Sequence, residues 1–488
     1  MKEESLPEGL LWQIFSLIAL IPHPSGEEAE LRARLQDFAE IHDLKVETDA
    51  VGNLRLERAP SPGLEQAPSI VLQGHLDMVP QRRSGSDFRF SEDSINLVRS
   101  GDWVHTGGET TLGADNGIGV AAALAVLLDR TKQVGPLSAV FTVEEETGLR
   151  GALQLPPQWL QADYLLNLDS EDEGELYIGC AGGARLNSIF QLHPTVPSAG
   201  QGMKITLSGL PGGHSGCDID RNRGNANQLL AQFLHLFPAL QLASFDGGSL
   251  DNAIPRECEA TAVVSDELKA ALLSAASAFV GSVREELGEN GRNLSLQLAE
   301  IPRPEWVWSP EEQQTILIHL THCPNGVQRY DDAFKVVALS SNLASVKTEP
   351  TARQLIVRSS QRGFDEEERS ALTRKIAGYM TEAGAEATVD NSYPGWKPQG
   401  DSALLRTANA VYEELFGVKP ANTVIHAGLE CGILHAKNPD LAMISFGPEI
   451  QNPHSPSERV SIASVERFEQ FLDALIGRLV KKGKVSAC

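Results

Sequence analysis

Apolar positions recur along this chain with two periods, and their alternation predicts most of its elements. LLWQIFSLIALI, from Leu10 to Ile21, is broken only by Gln13 and Ser16 and predicts a buried amphipathic helix; EAELRARLQDFA predicts a second. SIVLQGHLD, ending at Asp77, is a short apolar run bounded by turn residues and predicts a buried strand. VAAALAVLLDR, from Val120 to Arg130, predicts a helix, and PLSAVFTVEEE and ADYLLNLDSED predict two further strands. Strands alternating with helices imply α/β architecture, with a mixed, largely parallel sheet and helices on both faces.

The rhythm changes near Arg185. MKITLSG, ECEATAVVS, RQLIVRSSQ and AEATVDN read as strands, while NANQLLAQFLHLF, DELKAALLSAASAFVGSVREEL and DEEERSALTRKIAGYMTEAG read as helices. Strand-loop-helix units recur here without a clear sequence repeat. Past Pro394 the first pattern resumes with SALLRTANAVYEELFG, LAMISFG and SVERFEQFLDALIGRLVKK. At 488 residues the chain exceeds what one core usually supports. The expected organisation is a discontinuous α/β domain, 1–185 and 395–488, interrupted by an inserted α+β domain, 186–394.

Composition narrows the function classes. Acidic residues outnumber basic ones by 65 to 41, and a formal charge of -24 argues against a nucleic-acid groove or an anionic membrane as partner. The cysteines, Cys180, Cys217, Cys258, Cys323, Cys431 and Cys488, show no close pairing, so neither a disulfide scaffold nor a zinc ribbon is expected. Leu10 to Ile21 lacks a basic flank and a small-residue cleavage site, and no run of ~18 uninterrupted apolar residues suggests a membrane span. A cytoplasmic protein is expected.

Several segments carry an acid or imidazole where an apolar strand ends or a helix begins: His75 and Asp77, Asp115 in TTLGADNGIG, Glu144 to Glu146, and Asp169. In an open α/β sheet, ligands gather beyond the carboxyl ends of the strands, so these groups could converge. His75 and Asp77 share a face of an extended chain, and one could bind a metal while the other holds its ring. A strand-end histidine bonded to a neighbouring carboxylate accounts for the pair equally well. Asp115 fits a helix N-cap, and also a carboxylate bridging two cations. Glu145 and Glu146 reach one site only if their strand breaks, with Thr147-Gly148 as the expected break; one could then bind metal while the other takes a proton from water. His454, in FGPEIQNPHSPSERV, is a plain loop histidine or the distant member of a ligand set.

Together GHLDMVP, GADNGIG, TVEEETGLRGA, LNLDSEDEG and NPHSPSERV, in this order, resemble the motifs of di-zinc peptidases of the aminoacylase/carboxypeptidase clan. GLPGGHSGCDIDRNRGNAN and HAGLECG resemble its bacterial aminoacyl-histidine dipeptidase branch. The resemblance implies a zinc-peptidase domain with an inserted lid, and metal-dependent hydrolysis of dipeptides with a free amino terminus. Broad specificity follows, with Xaa-His dipeptides among the candidates. It implies two zinc ions per subunit, with cobalt or manganese as substitutes, bridged by Asp115. His75 and Asp169 complete one position, Glu146 and His454 the other. Asp77 would orient His75, and Glu145 would be the general base. His214 is implied at the developing oxyanion, Asn252 and Arg358 at the substrate's backbone and carboxylate, Glu430 at its free amine, and His426 along the site. Glu144 stands where the family's run begins with aspartate. Short peptides are the implied partners, and both a monomer and a homodimer through the lid are compatible. The same metal core would also serve an aminopeptidase, a tripeptidase or an N-acyl-amino-acid deacylase. A non-catalytic peptide-binding protein is disfavoured, because Glu145 and every implied ligand are present.

Overall fold

The computed structural model describes residues 4–482, which fall into two units. Unit 1 takes the chain up to Gly179, Pro398–Val424 and the residues from Leu429 onward; unit 2 takes Cys180–Lys397 and Ile425–Gly428. The inserted unit thus starts before Arg185, because Gly182–Gln191 is paired along its length with Gln354–Gly363. The short 425–428 piece also groups with it.

Unit 1 is built on an eight-stranded sheet, in the order Lys45–Thr48, Leu54–Arg58, Leu137–Thr142, Ile70–His75, Tyr164–Asn167, Ala442–Ser445, Glu175–Cys180, Ala421–Ile425. The four strands from Leu137–Thr142 to Ala442–Ser445 are parallel and flanked by antiparallel pairs. Their residues are buried almost throughout, as expected where helices cover both faces. Ala114–Leu128, buried on nearly every side, packs directly on the sheet, and Leu10–Ala19 packs on it in turn. That approach requires glycine: a Cβ at Gly119 would lie 2.3 Å from the Leu168 carbonyl oxygen, and one at Gly74 2.1 Å from Asn116 Oδ1. Ile462–Lys482 packs with Ala403–Phe416. No described helix is long and apolar enough to cross a membrane.

Unit 2 carries a nine-stranded sheet. Two strand-helix-strand-strand-helix-strand modules lie edge to edge in it. One runs from Gln201–Ser208 to Ser295–Ile301; the other starts with Gly182–Gln191 and resumes at Pro310–His322, ending with Glu386–Tyr393. They join where Asp246 pairs with Lys347 and Gly247 with Val346. This accounts for the recurring strand-loop-helix units, whose pairing into modules is hidden in the sequence because one module is inserted into the other. One core takes residues from all four long helices, among them Phe233, Leu272, Ile316 and Ile376, together with Leu355 and Val357 of Gln354–Gly363. By strand alternation Arg358 and Arg362 point to the opposite face.

Candidate functional site

Three parallel strands of unit 1 end along one edge. Ile70–His75 lies between Leu137–Thr142 and Tyr164–Asn167, with His75 opposite Thr142 and Gln73 opposite Asn167. The loops carrying Asp77, Glu145 and Asp169 therefore leave from the same side. Asn116 ties two of them, donating to the Leu168 carbonyl at 2.7 Å and accepting from the His75 main-chain N–H at 3.3 Å.

The glutamate segment reverses earlier than expected. Its strand ends at Thr142, and Glu144 takes a left-handed φ of 52°, so the turn precedes Thr147-Gly148. Carboxylates hold it from beneath: Asp77 accepts the Glu145 and Glu146 N–H groups at 3.0 and 3.1 Å and the Ser25 hydroxyl at 2.7 Å, and Glu28 accepts the Glu144 N–H at 3.0 Å.

His75 is 2% exposed. Its Nδ1 lies 2.9 Å from the main-chain oxygen of Asp77 and 3.4 Å from that residue's Oδ1. The clamp on the ring is thus mainly a carbonyl, while the Asp77 carboxylate serves the glutamate turn. A carbonyl only accepts, so Nδ1 carries a hydrogen, and the ring when neutral presents a lone pair at Nε2. That Nε2 faces Asp115 Oδ1 at 3.0 Å and Asp169 Oδ1 at 3.3 Å. His454 repeats the arrangement, its Nε2 lying 3.0 Å from both Asp115 Oδ2 and Glu146 Oε1. Each oxygen of Asp115 therefore meets a different imidazole.

The charges are unbalanced. Burial opposes a charge on His75, yet the carboxylates of Asp169, Asp115 and Asp77 outweigh it and hold the ring well above its ordinary value. Bonds to Asp115 and Glu146 push His454 up to about 11. Burial lifts Asp169 to about 6 against the pull of His75. It also raises Glu145 well above the usual carboxylate range, aided by the charges of Asp169, Glu146 and Glu430. Buried carboxylates packed around nitrogens that can each carry only one proton call for cations between them. Among the described residues, three groups of donor atoms lie within 4.8 Å of one another: His75, Asp115 and Asp169; Asp115, Glu146 and His454; and His75, Glu145 and Glu146. Nitrogen and oxygen donors of these types suit zinc, cobalt or manganese.

Unit 2 groups a different chemistry. His214, on the short strand Gly213–His214 paired with Ala253–Ile254, accepts the main-chain N–H of Cys217 at 3.1 Å through Nδ1. Its neutral ring thus carries a donor at Nε2, and burial with the nearby Arg362 charge lowers it to about 4. Asn252, exposed, adjoins the paired strand, and its carbonyl accepts the Ser215 N–H at 2.8 Å. His426 is 7% exposed, lies 2.7 Å from the Ser340 hydroxyl, and is lowered to about 3, chiefly by burial and then by Arg362.

Arg358 and Glu430, both expected at the substrate, lie in different surroundings. Arg358 is exposed and donates to Asn187 at 3.2 Å, on the wall of a cavity of about 940 Å³ it shares with Arg256, Lys347 and Glu349. Arg362, further along the same strand face, groups with the two histidines instead. It is 8% exposed, and its bonds go to the hydroxyls of Ser215 and Tyr393, both at 3.3 Å, leaving a buried guanidinium without a carboxylate in those contacts. The sequence offered both arginines at even spacing and no sign of which is buried. Glu430 is 0% exposed, and its Oε2 accepts Gln73 at 2.6 Å and Thr142 at 2.7 Å under the strand ends, where it supports the strands.

Burial raises Glu430 from its ordinary 4.5 to about 8. The folded protein then keeps a proton that the unfolded chain releases, so this group's contribution to stability falls as pH rises between those two values. In metal-free protein, Glu430→Gln is expected to flatten the fall in urea midpoint between about pH 5 and about pH 8. Parallel profiles for the two proteins would contradict it.

The model of peptidase family M20/M25/M40 matches residues 71–478. The chain is 39% identical over 477 residues to the cytosol non-specific dipeptidase of Escherichia coli K12, covering 97% of this chain and 98% of that one. The crystal structure of aminoacylhistidine dipeptidase from Vibrio alginolyticus superposes with a TM-score of 0.88 at 38% identity, covering 99% and 98%. A tripeptidase from Staphylococcus aureus shares the fold, with a TM-score of 0.56 at 17% identity over 97% and 98%.

Proposed function

Since the chain belongs to peptidase family M20/M25/M40, we propose that it is a metal-dependent dipeptidase of the cytoplasm, hydrolysing dipeptides with a free amino terminus. The observation that carries the reading is the Asp115 carboxylate, with Oδ1 3.0 Å from His75 Nε2 and Oδ2 3.0 Å from His454 Nε2. His75, Asp115 and Asp169 would hold one divalent cation, and Asp115, Glu146 and His454 a second, zinc being the expected metal. When bound, such a pair polarises a carbonyl and brings the pKa of a water from 15.7 down to about 7.

The chain's own residues do the rest. Glu145, kept beside the cluster by the Asp77 carboxylate, takes the proton of the attacking water and passes it to the leaving amine. Asp77, through its main-chain oxygen, keeps the hydrogen of His75 on Nδ1 and so leaves Nε2 free as a ligand. His214 remains neutral at physiological pH and offers its Nε2–H to the oxygen on which negative charge develops, a donation typically worth about 3 kcal/mol. Arg362, in place of Arg358, takes the substrate carboxylate, for which an arginine fork is well shaped. Asn252 serves the substrate backbone, and His426 supports the same wall through Ser340.

One panel tests the reading: a free dipeptide, its amide, its N-acetyl form and a tripeptide, each assayed with zinc-reconstituted protein. The free dipeptide should be cleaved far faster than the other three. Equal cleavage of the N-acetyl form would favour a deacylase, and equal cleavage of the tripeptide an aminopeptidase or tripeptidase; either would sink the dipeptidase reading.

A further inference from the structure

Four residues beyond His454, Glu458 is 2% exposed. Its carboxylate accepts four consecutive main-chain N–H groups: Oε2 from Leu112 at 2.6 Å and Gly113 at 3.1 Å, Oε1 from Ala114 at 2.8 Å and Asp115 at 3.3 Å. These donors lie where the chain enters the helix Ala114–Leu128, whose first residues Asp115 and Asn116 are not helical in φ and ψ. Free N–H groups at a helix start are ordinarily satisfied by a side chain at the cap. Gly113 at the cap position has none. Asp115 is the local side chain suited to the task, but its oxygens face His75 and His454. The cap comes from 343 residues further along the chain.

We propose that Glu458 is a positioning residue that substitutes for Asp115 as the cap of this turn, freeing the Asp115 carboxylate to span two cations. It also docks the His454 segment on that turn. His454 is half-exposed at its side chain and has a φ of 57°, so its own burial does not fix it. The segment between is drawn tight by the Glu458 N–H, which bonds the Ser455 carbonyl at 3.0 Å, and is anchored beyond by Arg459–Ser461, paired with Trp103–His105. One carboxylate thereby sets the spacing between the two ligands Asp115 and His454. The inference rests on the dinuclear reading above.

Wild type, Glu458→Gln and Glu458→Asp are reconstituted with zinc, challenged with a competing chelator at one fixed concentration, and analysed for retained zinc. Circular dichroism of the metal-free proteins checks folding. Glutamine matches the size of Glu458, but its amide nitrogen must face donors. Zinc affinity of Glu458→Gln is expected to fall by about 10–100-fold, as for lost outer partners of metal ligands. The variant should retain fewer than the two ions of wild type. Glu458→Asp keeps both oxygens on a shorter arm and should retain more zinc than Glu458→Gln. Wild-type retention by a folded Glu458→Gln would overturn the inference whatever its melting temperature, as would the reverse order of the two variants. If Glu458→Gln does not fold, Glu458→Asp carries the test, its shorter arm placing it between the other two: it is expected to retain less zinc than wild type, and full retention by it overturns the inference. Fewer than two ions on wild type before the challenge would overturn the dinuclear reading itself, and this inference with it.

Discussion

Replacing Glu145 by glutamine is expected to lower kcat by about 10²–10⁴-fold, the usual weight of general acid–base catalysis, with zinc content and KM near those of wild type. Glu145 shares a turn with Glu146, and the two main-chain N–H groups go to different oxygens of Asp77, which fixes the turn. Glutamine preserves the size and one acceptor oxygen of Glu145 and removes the ability to take a proton. A loss confined to kcat identifies an interaction used in the transition state. The measurement is steady-state kinetics on a free dipeptide beside a zinc determination on the same preparation. Near-normal kcat with full zinc would remove Glu145 from the mechanism; loss of zinc in proportion to activity would make it a ligand, an arrangement its grouping with His75 and Glu146 also permits geometrically.

Asp115→Asn is expected to cost more than the 10–100-fold in metal affinity that loss of an outer partner brings, about the whole of the activity with it. Asparagine caps helices about as well as aspartate, so a residue serving only the turn would tolerate the change. A bridging carboxylate would not. One of its two oxygens, each 3.0 Å from a different imidazole Nε2, becomes an amide nitrogen that cannot ligate a cation, so one of the two positions loses its shared donor. Zinc retention and melting of the metal-free variant separate the two roles: a stable protein that no longer holds two ions fits the bridge, and one that holds both fits the cap.

Much of this site is legible in the chain because its parts are local. A histidine or carboxylate at the end of an apolar run is visible as text, and parallel strands carry such ends to one edge. Five segments thus point to one place before any coordinate is known, and their atoms approach within 3.0–3.3 Å in the fold. What escapes the text depends on tertiary burial. Arg358 and Arg362 are equivalent by strand alternation and differ only in what covers them. Glu430 opens a helix, where glutamate is usually solvated, yet it lies under the sheet's edge at 0% exposure. Glu458 reads as a surface acid beside Arg459, and nothing in its neighbourhood shows that it caps a turn far away. The left-handed Glu144 moves the reversal of its segment ahead of the glycine that suggested it, since support by Asp77 and Glu28 supplies what glycine would have provided.

In the dinuclear reading one carboxylate, that of Asp115, joins two cation positions. Anomalous diffraction at the zinc edge, from crystals of the reconstituted protein, tests it directly. Two peaks are expected, one contacted by Asp115 Oδ1 with His75 and Asp169, the other by Oδ2 with Glu146 and His454. A single peak, or two peaks with Asp115 bound to only one of them, would rule out the bridge.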